Sequence, residues 1–263
     1  MATARVRRPR RLEPAAVIGV MSRDVMIFRR YWRATTFSSI VEPTIYLLAF
    51  GFGFGALVTQ INGVDYIDYV ATGVVASAAL FASVFAGMFN TFVRREFKRT
   101  YDAMLAAPVD TQELVTAEIL WIACRAGVYC MAPLLVAIFF GLAPEWTTVF
   151  VPLVGFTTGF GFASFGVLIS AVAKSIDNFN YVTSAVITPL FLVSGTFFPI
   201  SGLPAGMEAI AQVNPLYHCV QLVRGLVLGG LEAADVVHVV ALLAFAAAMW
   251  LAALWRQRLR LID

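Results

Sequence analysis

Long apolar runs joined by short polar links commit this chain to a bilayer, and its basic residues fix how it threads. Seventeen of the nineteen Lys and Arg residues fall on one side of an alternating path. Nine precede the first apolar run: Arg5, Arg7, Arg8, Arg10, Arg11, Arg23, Arg29, Arg30 and Arg33. Arg94, Arg95, Lys98 and Arg99 lie between the second and third runs, Lys174 after the fourth, and Arg256, Arg258 and Arg260 after the last. Arg224 alone occupies a loop on the other side, and Arg125 is inside an apolar run. Cytosolic loops carry the excess of Lys and Arg, so both termini and every second loop are expected in the cytosol.

The composition agrees. At 60% hydrophobic, 13% charged and a mean hydropathy of +0.82, the 263 residues have too little polar surface to clothe a soluble globule. The net charge of +3 is gathered on one side, which suits an anionic inner leaflet and not nucleic acid. The first 33 residues are basic and lack an apolar stretch ending in small residues, so they do not read as a cleavable signal. Cys124, Cys130 and Cys219 have no metal-type or redox-type spacing and are expected to be free, buried thiols.

The expected fold is an all-α membrane protein with six spans, at roughly 35–58, 70–93, 112–140, 149–173, 180–199 and 236–256. Residues 1–34 would form a cytosolic basic arm, and 35–263 the transmembrane domain. The third span is the longest and should tilt or protrude. Pro189 falls inside the fifth, where a kink is tolerated if neighbours satisfy the freed carbonyl. The links at 58–69 and 141–148 hold acidic but no basic residues and should face outward.

Two polar excursions stand out. In the arm, Val17, Met21, Val25, Phe28 and Trp32 recur at helical spacing while Arg23, Arg29, Arg30 and Arg33 lie largely elsewhere, the pattern of a helix in the cytosolic interface. Between spans two and three, Val93, Phe97, Tyr101, Met104 and Leu105 mark one helical face, and Arg94, Arg95, Glu96, Lys98, Arg99 and Asp102 crowd the others. Pro108 stops this helix, and Asp110 with Glu113 resembles a capping pair opening span three. An ordinary turn needs only a few residues; a charged helix of about 94–108 with an aromatic stripe suits docking of a soluble partner. On the opposite side, 200–235 reads as short re-entrant helices: Pro204 starts one, Asn214 and Pro215 interrupt it, and Gly229 and Gly230 end the next. Irregular backbone at membrane depth must be shielded, so this segment should pack against a partner or roof a cavity.

Chemistry is sparse. There is no G-x-x-x-x-G-K-[ST], so the chain is not expected to cradle a nucleotide itself. Gly51, Gly53 and Gly55, and again Gly155, Gly159 and Gly161, read as close-packing points between helices. Ser194 and Ser201 with His218 lack an oxyanion hole or a fixed partner for the imidazole, and no metal-ligand spacing occurs. Glu42, Asn90, Glu118 and Arg125 are polar groups within spans, where charge is costly, so they should face partners or water. Glu118 and Arg125 share a helix face. Glu42 is expected to meet Arg125 or the polar face beside it, either as a tie between spans or as a lining of a substrate route.

The stretch Arg94-Arg95-Glu96-Phe97-Lys98-Arg99-Thr100-Tyr101-Asp102-Ala103-Met104-Leu105-Ala106-Ala107-Pro108 resembles the inner loop of type-2 ABC exporter permeases. Ser194-Gly195-Thr196-Phe197-Phe198-Pro199, Leu203-Pro204 and Asn214-Pro215-Leu216-Tyr217-His218 are similar to that family's C-terminal signature, most of all in its nodulation-factor branch, which exports lipochitooligosaccharide. The resemblance covers essentially the whole chain. It implies a homodimer in the bacterial inner membrane with two separate ATPase subunits beneath, ATP and Mg being held by those partners and no cofactor by this chain. It further implies that Arg95, Glu96, Phe97, Lys98, Arg99, Thr100, Tyr101 and Asp102 form a coupling helix, flanked by an interfacial helix carrying Phe28, Arg29, Arg30 and Trp32. Pro199, Pro204, Asn214, Pro215, Tyr217 and His218 would belong to an outer gate. The implied cargo is an amphiphilic lipooligosaccharide or lipid-linked glycan, with a hydrophobic drug as the alternative. An ion-coupled secondary transporter would need paired discontinuous helices, and no inverted repeat is evident; an intramembrane enzyme would have to be built on His218.

Overall fold

The computed structural model describes residues 12–55, 57–61, 63–202 and 205–262. Helix α1 runs unbroken over Pro14–Gly55, 42 residues, with Pro14 in the first turn where its missing N–H costs nothing. The expected separation of an interfacial helix from a first span is therefore corrected. Nothing between Trp32 and Phe37 breaks a helix, so the arm and the first apolar run form one rod. At 1.5 Å per residue that rod is about 63 Å long, roughly twice the ~30 Å hydrocarbon core of a bilayer. A short hairpin follows, β1 (Gln60–Ile61) against β2 (Val64–Asp65), turned through Gly63 at φ +80°. It is the one departure from an all-α fold among the described residues.

Helix α2 (Tyr66–Phe85) continues through π-helical turns at Ala86–Asn90 and Val93–Phe97, giving an apolar helix Tyr66–Phe97, longer than the expected 70–93. It is the axis of the bundle: Val70, Val75, Ala79, Leu80 and Val84 are fully buried, and α1, α4, α6 and α10 all pack on it. Arg99, at φ +47°, reverses the chain into α3 (Thr100–Leu105). Helix α4 (Thr111–Tyr129) opens with the expected capping pair: the Asp110 carboxylate accepts the Thr111 N–H at 2.7 Å, and Glu113 accepts the Asp110 N–H at 2.9 Å. The third span breaks at Cys130 before α5 (Met131–Phe139), because Pro133 has no N–H for the carbonyl of Tyr129.

After a 3₁₀ turn at Trp146–Phe150, α6 (Val151–Val172) packs against α2, α4 and α11. Its crossing with α2 is tight enough to require glycine on both sides. A Cβ on Gly166 would stand 2.5 Å from the Val84 carbonyl oxygen, and one on Gly87 would stand 2.6 Å from that of Ala163. Gly155, Gly159 and Gly161 are close-packing points as expected, against Cys130, Ala126 and Phe245; Gly51, Gly53 and Gly55 are not, having no neighbour nearer than 3.5 Å to an added Cβ.

The fifth helical stretch comprises α7 (Asn178–Val182), a π turn at Thr183–Ile187 and α8 (Thr188–Leu192). The wide turn falls just before Pro189, where it relieves the clash between the ring and the preceding turn. This stretch stops short of the expected 180–199, because the chain turns away at Gly195, φ +79°, into a loop that buries Ser194 and Thr196. After a 3₁₀ turn at Ile200–Gly202, α9 (Ala205–Val213) and α10 (Pro215–Leu228) are divided where expected. Asn214 caps α10 by accepting the Leu216 N–H at 2.9 Å and donates to the Leu190 carbonyl at 2.6 Å. Helix α11 (Val236–Ile262) closes the chain, its outer face of Val237, Leu243, Leu251 and Trp255 exposed. Among the described residues four helices are long and apolar enough to cross a membrane: Tyr66–Phe97, Thr111–Phe139, Trp146–Val172 and Ala233–Leu261.

Candidate functional site

The basic end of the bundle is organised by a buried ionic network. Arg94, at the foot of α2, donates to Asp24 of α1 at 3.0 Å and to Glu118 of α4 at 3.3 Å. Glu118 also accepts Thr91 Oγ1 at 3.0 Å and the hydroxyl of Tyr101 from α3. Asp24 is held on its other oxygen by Arg23 at 3.2 Å, and Arg23 reaches the Met104 sulfur at 3.5 Å. One guanidinium and two carboxylates thus bind α1, α2, α3 and α4 together. Burial, then the charge of Glu118, holds the Tyr101 hydroxyl well above its ordinary pKa, so it stays a proton donor.

Arg95 makes a second set of ties. Its guanidinium bonds the Ser170 carbonyl at 2.7 Å, Gln257 Oε1 at 3.4 Å and Glu96 at 3.0 Å, and it lies over the Phe92 ring. Glu96 is shared with Arg260 at 3.6 Å, and Gln257, fully buried, donates to the Val167 carbonyl. The foot of α2 is thereby locked to α6 and α11.

This geometry corrects the single helical face drawn through Val93, Phe97, Tyr101, Met104 and Leu105. The chain reverses at Lys98 and Arg99, so Phe97 points out, 67% exposed, while Tyr101 points in, 1% exposed. A coupling helix over 94–108 is corrected likewise: Arg94 to Phe97 finish α2, and only Thr100–Leu105 forms the separate helix. Arg95 and Tyr101 are buried in the bundle, 7% and 1% exposed. Glu96, Phe97, Lys98, Arg99 and Asp102 are exposed, with Thr100 half-buried between them. The left-handed backbone at Arg99 costs about 1–2 kcal/mol for a residue with a Cβ, and it is what lifts Phe97, Lys98 and Arg99 to the tip of the projection.

On α1 the packed face carries Val20 and Asp24, both buried, and Phe28 edge-on to Trp121 at 5.6 Å; Arg29, Arg30 and Trp32 are exposed. Asp24 was missed in the sequence, although it sits at helical spacing between Val17, Val20 and Phe28 and is one of only two acids, with Glu13, among the arm's nine bases. Asn90 lines a cavity with Arg94 and Arg125. Glu118 and Arg125 do not act together: Glu118 joins the network, while Arg125 lies 5.8 Å from the Tyr129 ring and its Nε is buried without a hydrogen-bond partner. The side chain of Glu42 lies outside the described residues, as does Pro204. Cys130 and Cys219 are free and buried, but Cys124 is exposed, against expectation.

The opposite end is built around Arg224, whose role the sequence hid. From α10 its guanidinium lies 3.7 Å from the Tyr69 ring centre and bonds Thr72 Oγ1, the Tyr69 carbonyl and the Gly195 carbonyl at 3.1–3.3 Å. Tyr69, Pro199, Glu208, Tyr217, Gln221 and Arg224 line a cavity of about 240 Å³. His218 Nδ1 meets His238 Nδ1 at 2.7 Å. Ser194 instead bonds the Phe191 carbonyl and Thr196, so these residues build no serine–histidine pair.

Residues 16–228 match the family model described as ABC-2 type transporter. Nodulation protein J of Sinorhizobium fredii is 31% identical over 229 residues, 87% of each chain, and that of Bradyrhizobium diazoefficiens is 31% identical over 244 residues, 91% of this chain and 92% of the relative. The inner membrane transport permease YadH of Escherichia coli is 24% identical over 205 residues, 78% of this chain and 80% of the relative. With a fold of apolar helices tied by buried charge, the match over most of its length means that this chain belongs to the ABC-2 type transporter family, as a multi-pass permease subunit of an ABC exporter that works with a separate ATPase subunit.

Proposed function

We propose that this permease is the six-span half of a homodimeric inner-membrane exporter, driven by two ATPase subunits that grip the projection at Glu96, Phe97, Lys98, Arg99 and Asp102. The observation that carries this reading is the contrast within eight residues. Arg95 and Tyr101 root the projection in α4, α6 and α11, while Phe97 and Arg99 are exposed at its tip, Arg99 lying 3.9 Å from Asp102. A push on the tip is then transmitted to three long helices whose own backbone bonds are satisfied internally. The remaining two spans are supplied by residues 35–55 of α1 and by the 178–192 stretch. Both termini lie in the cytosol, as the placement of Lys and Arg supports. The short α9 and α10 sit in the outer leaflet, with Pro199, Asn214, Pro215, Tyr217 and His218 at the exit.

The cargo is an amphiphile with a glycan head. The nodulation relatives support this, as does an outer cavity walled by two tyrosines, two glutamines, a glutamate and an arginine, groups that can stack on and hydrogen-bond a sugar. Inverted vesicles holding the permease and its ATPase should accumulate a lipochitooligosaccharide when given ATP, and a protonophore should leave uptake intact. Equal uptake without the ATPase, or collapse of uptake on adding the protonophore, would contradict the reading.

A further inference from the structure

A cavity of about 240 Å³ opens at the basic end between α1, the foot of α2 and α4. Each helix gives it a stripe: Arg23 and Phe28 from α1, Arg94 with Lys98 just beyond the foot of α2, and Trp121 with Arg125 one turn apart on α4. Asp24, the one carboxylate in its wall, is already shared by Arg23 and Arg94, and Arg94 is further engaged by Glu118. Lys98 and Arg125 form no ion pair among the described residues. The four cations face two carboxylates, leaving a surplus of two positive charges. The Arg125 Nε is buried and has no hydrogen-bond partner, an unfavourable state for a charged donor. A site with surplus positive charge and an orphan donor is short of an anionic acceptor.

The surroundings say what kind. Phe28 and Trp121 meet edge to face at 5.6 Å in the wall, and Tyr31 lies beside them. Amphipathic aromatics next to Lys and Arg are the composition of a membrane–water boundary, where a basic pocket between helices recognises phosphoryl headgroups. We infer that this cavity binds a phosphate-bearing anion, with the Arg125 and Lys98 side chains as its principal donors. The bound anion would bridge α1 to α4 beside the Asp24–Arg94–Glu118 network. The site is independent of the exported cargo, and its donors are different groups from those lining the outer cavity.

The test is native mass spectrometry of the full-length permease released from nanodiscs containing equal phosphatidylglycerol and phosphatidylcholine. The native chain should retain phosphatidylglycerol over phosphatidylcholine by about tenfold, the worth of one charge-assisted contact. Arg125→Gln should abolish that preference. Lys98→Gln, at an exposed position, should reduce it severalfold and decides the matter if Arg125→Gln does not fold. Inorganic phosphate at millimolar concentration separates the two sources. Displacement of the lipid supports a free phosphate as occupant, and persistence supports a headgroup. Equal retention of both lipids without phosphate protection, or an unchanged preference in folded Arg125→Gln and in Lys98→Gln, would overturn the assignment.

Discussion

Arg94→Ala will fail to give a stable, monodisperse permease in detergent, whereas Arg30→Ala will purify normally. Arg94 is the one cation between Asp24 and Glu118, whose side chains are 1% and 3% exposed. Removing it leaves buried Glu118 without a cation and Asp24 with Arg23 alone, and breaking such a buried pair costs about 3–5 kcal/mol. Against a typical total stability of about 5–15 kcal/mol, that is a large fraction. Arg30 is exposed on α1, and its truncation should fall within about 0.5 kcal/mol of neutral. A thermal-unfolding series also tests whether the network acts as a unit. Asp24→Asn with Arg94→Met should be less destabilising than the sum of the single changes, because the double variant no longer buries an unpaired charge at that pair. Strict additivity would mean that the contacts are incidental.

Phe97→Ala should cut ATP-driven export at least tenfold while leaving the fold intact. The Phe97 side chain is 67% exposed at the tip of a charged projection and has one ring contact among the described residues, edge-on to Phe92 at 6.1 Å. Such anchors, once seated in a partner's pocket, commonly contribute 2 kcal/mol or more of binding energy, about thirtyfold in affinity. Thermal stability of the free permease should change little, and affinity for the ATPase should fall in step with export. Glu96→Arg is a less clean probe. Glu96 is paired with Arg95 and Arg260, so reversing its charge disturbs the root of the projection as well as its surface.

The four long helices were legible because uninterrupted apolar runs of 20 or so residues admit few alternatives, and the break at Asn214 and Pro215 because capping and proline chemistry are local. The continuity of α1 was not. A change from amphipathic to wholly apolar pattern looks like a boundary, yet no residue there stops a helix. The projection was misread for a related reason. Lys98 and Arg99 carry no turn signal, and the reversal through Arg99 is imposed by the tertiary ties of Arg95 and Tyr101. Those ties run to partners 75 and 162 residues away for Arg95 and 17 for Tyr101, beyond the reach of any periodicity. Arg224 shows the same limit: it reads as a stray loop cation until Tyr69 and Gly195 are brought to it. Likewise the unpaired Arg125 Nε emerges only when α1 and α4 are set side by side.

Site-specific photo-crosslinking from position 97 in the membrane-embedded complex tests most directly whether energy enters through the projection. A photoreactive residue in place of Phe97 should form an adduct with the ATPase subunit, and one in place of Phe198, exposed at the opposite end, should form none. An adduct from 198 but not from 97, or labelling of position 97 by an impermeant reagent applied to the outer face, would contradict it.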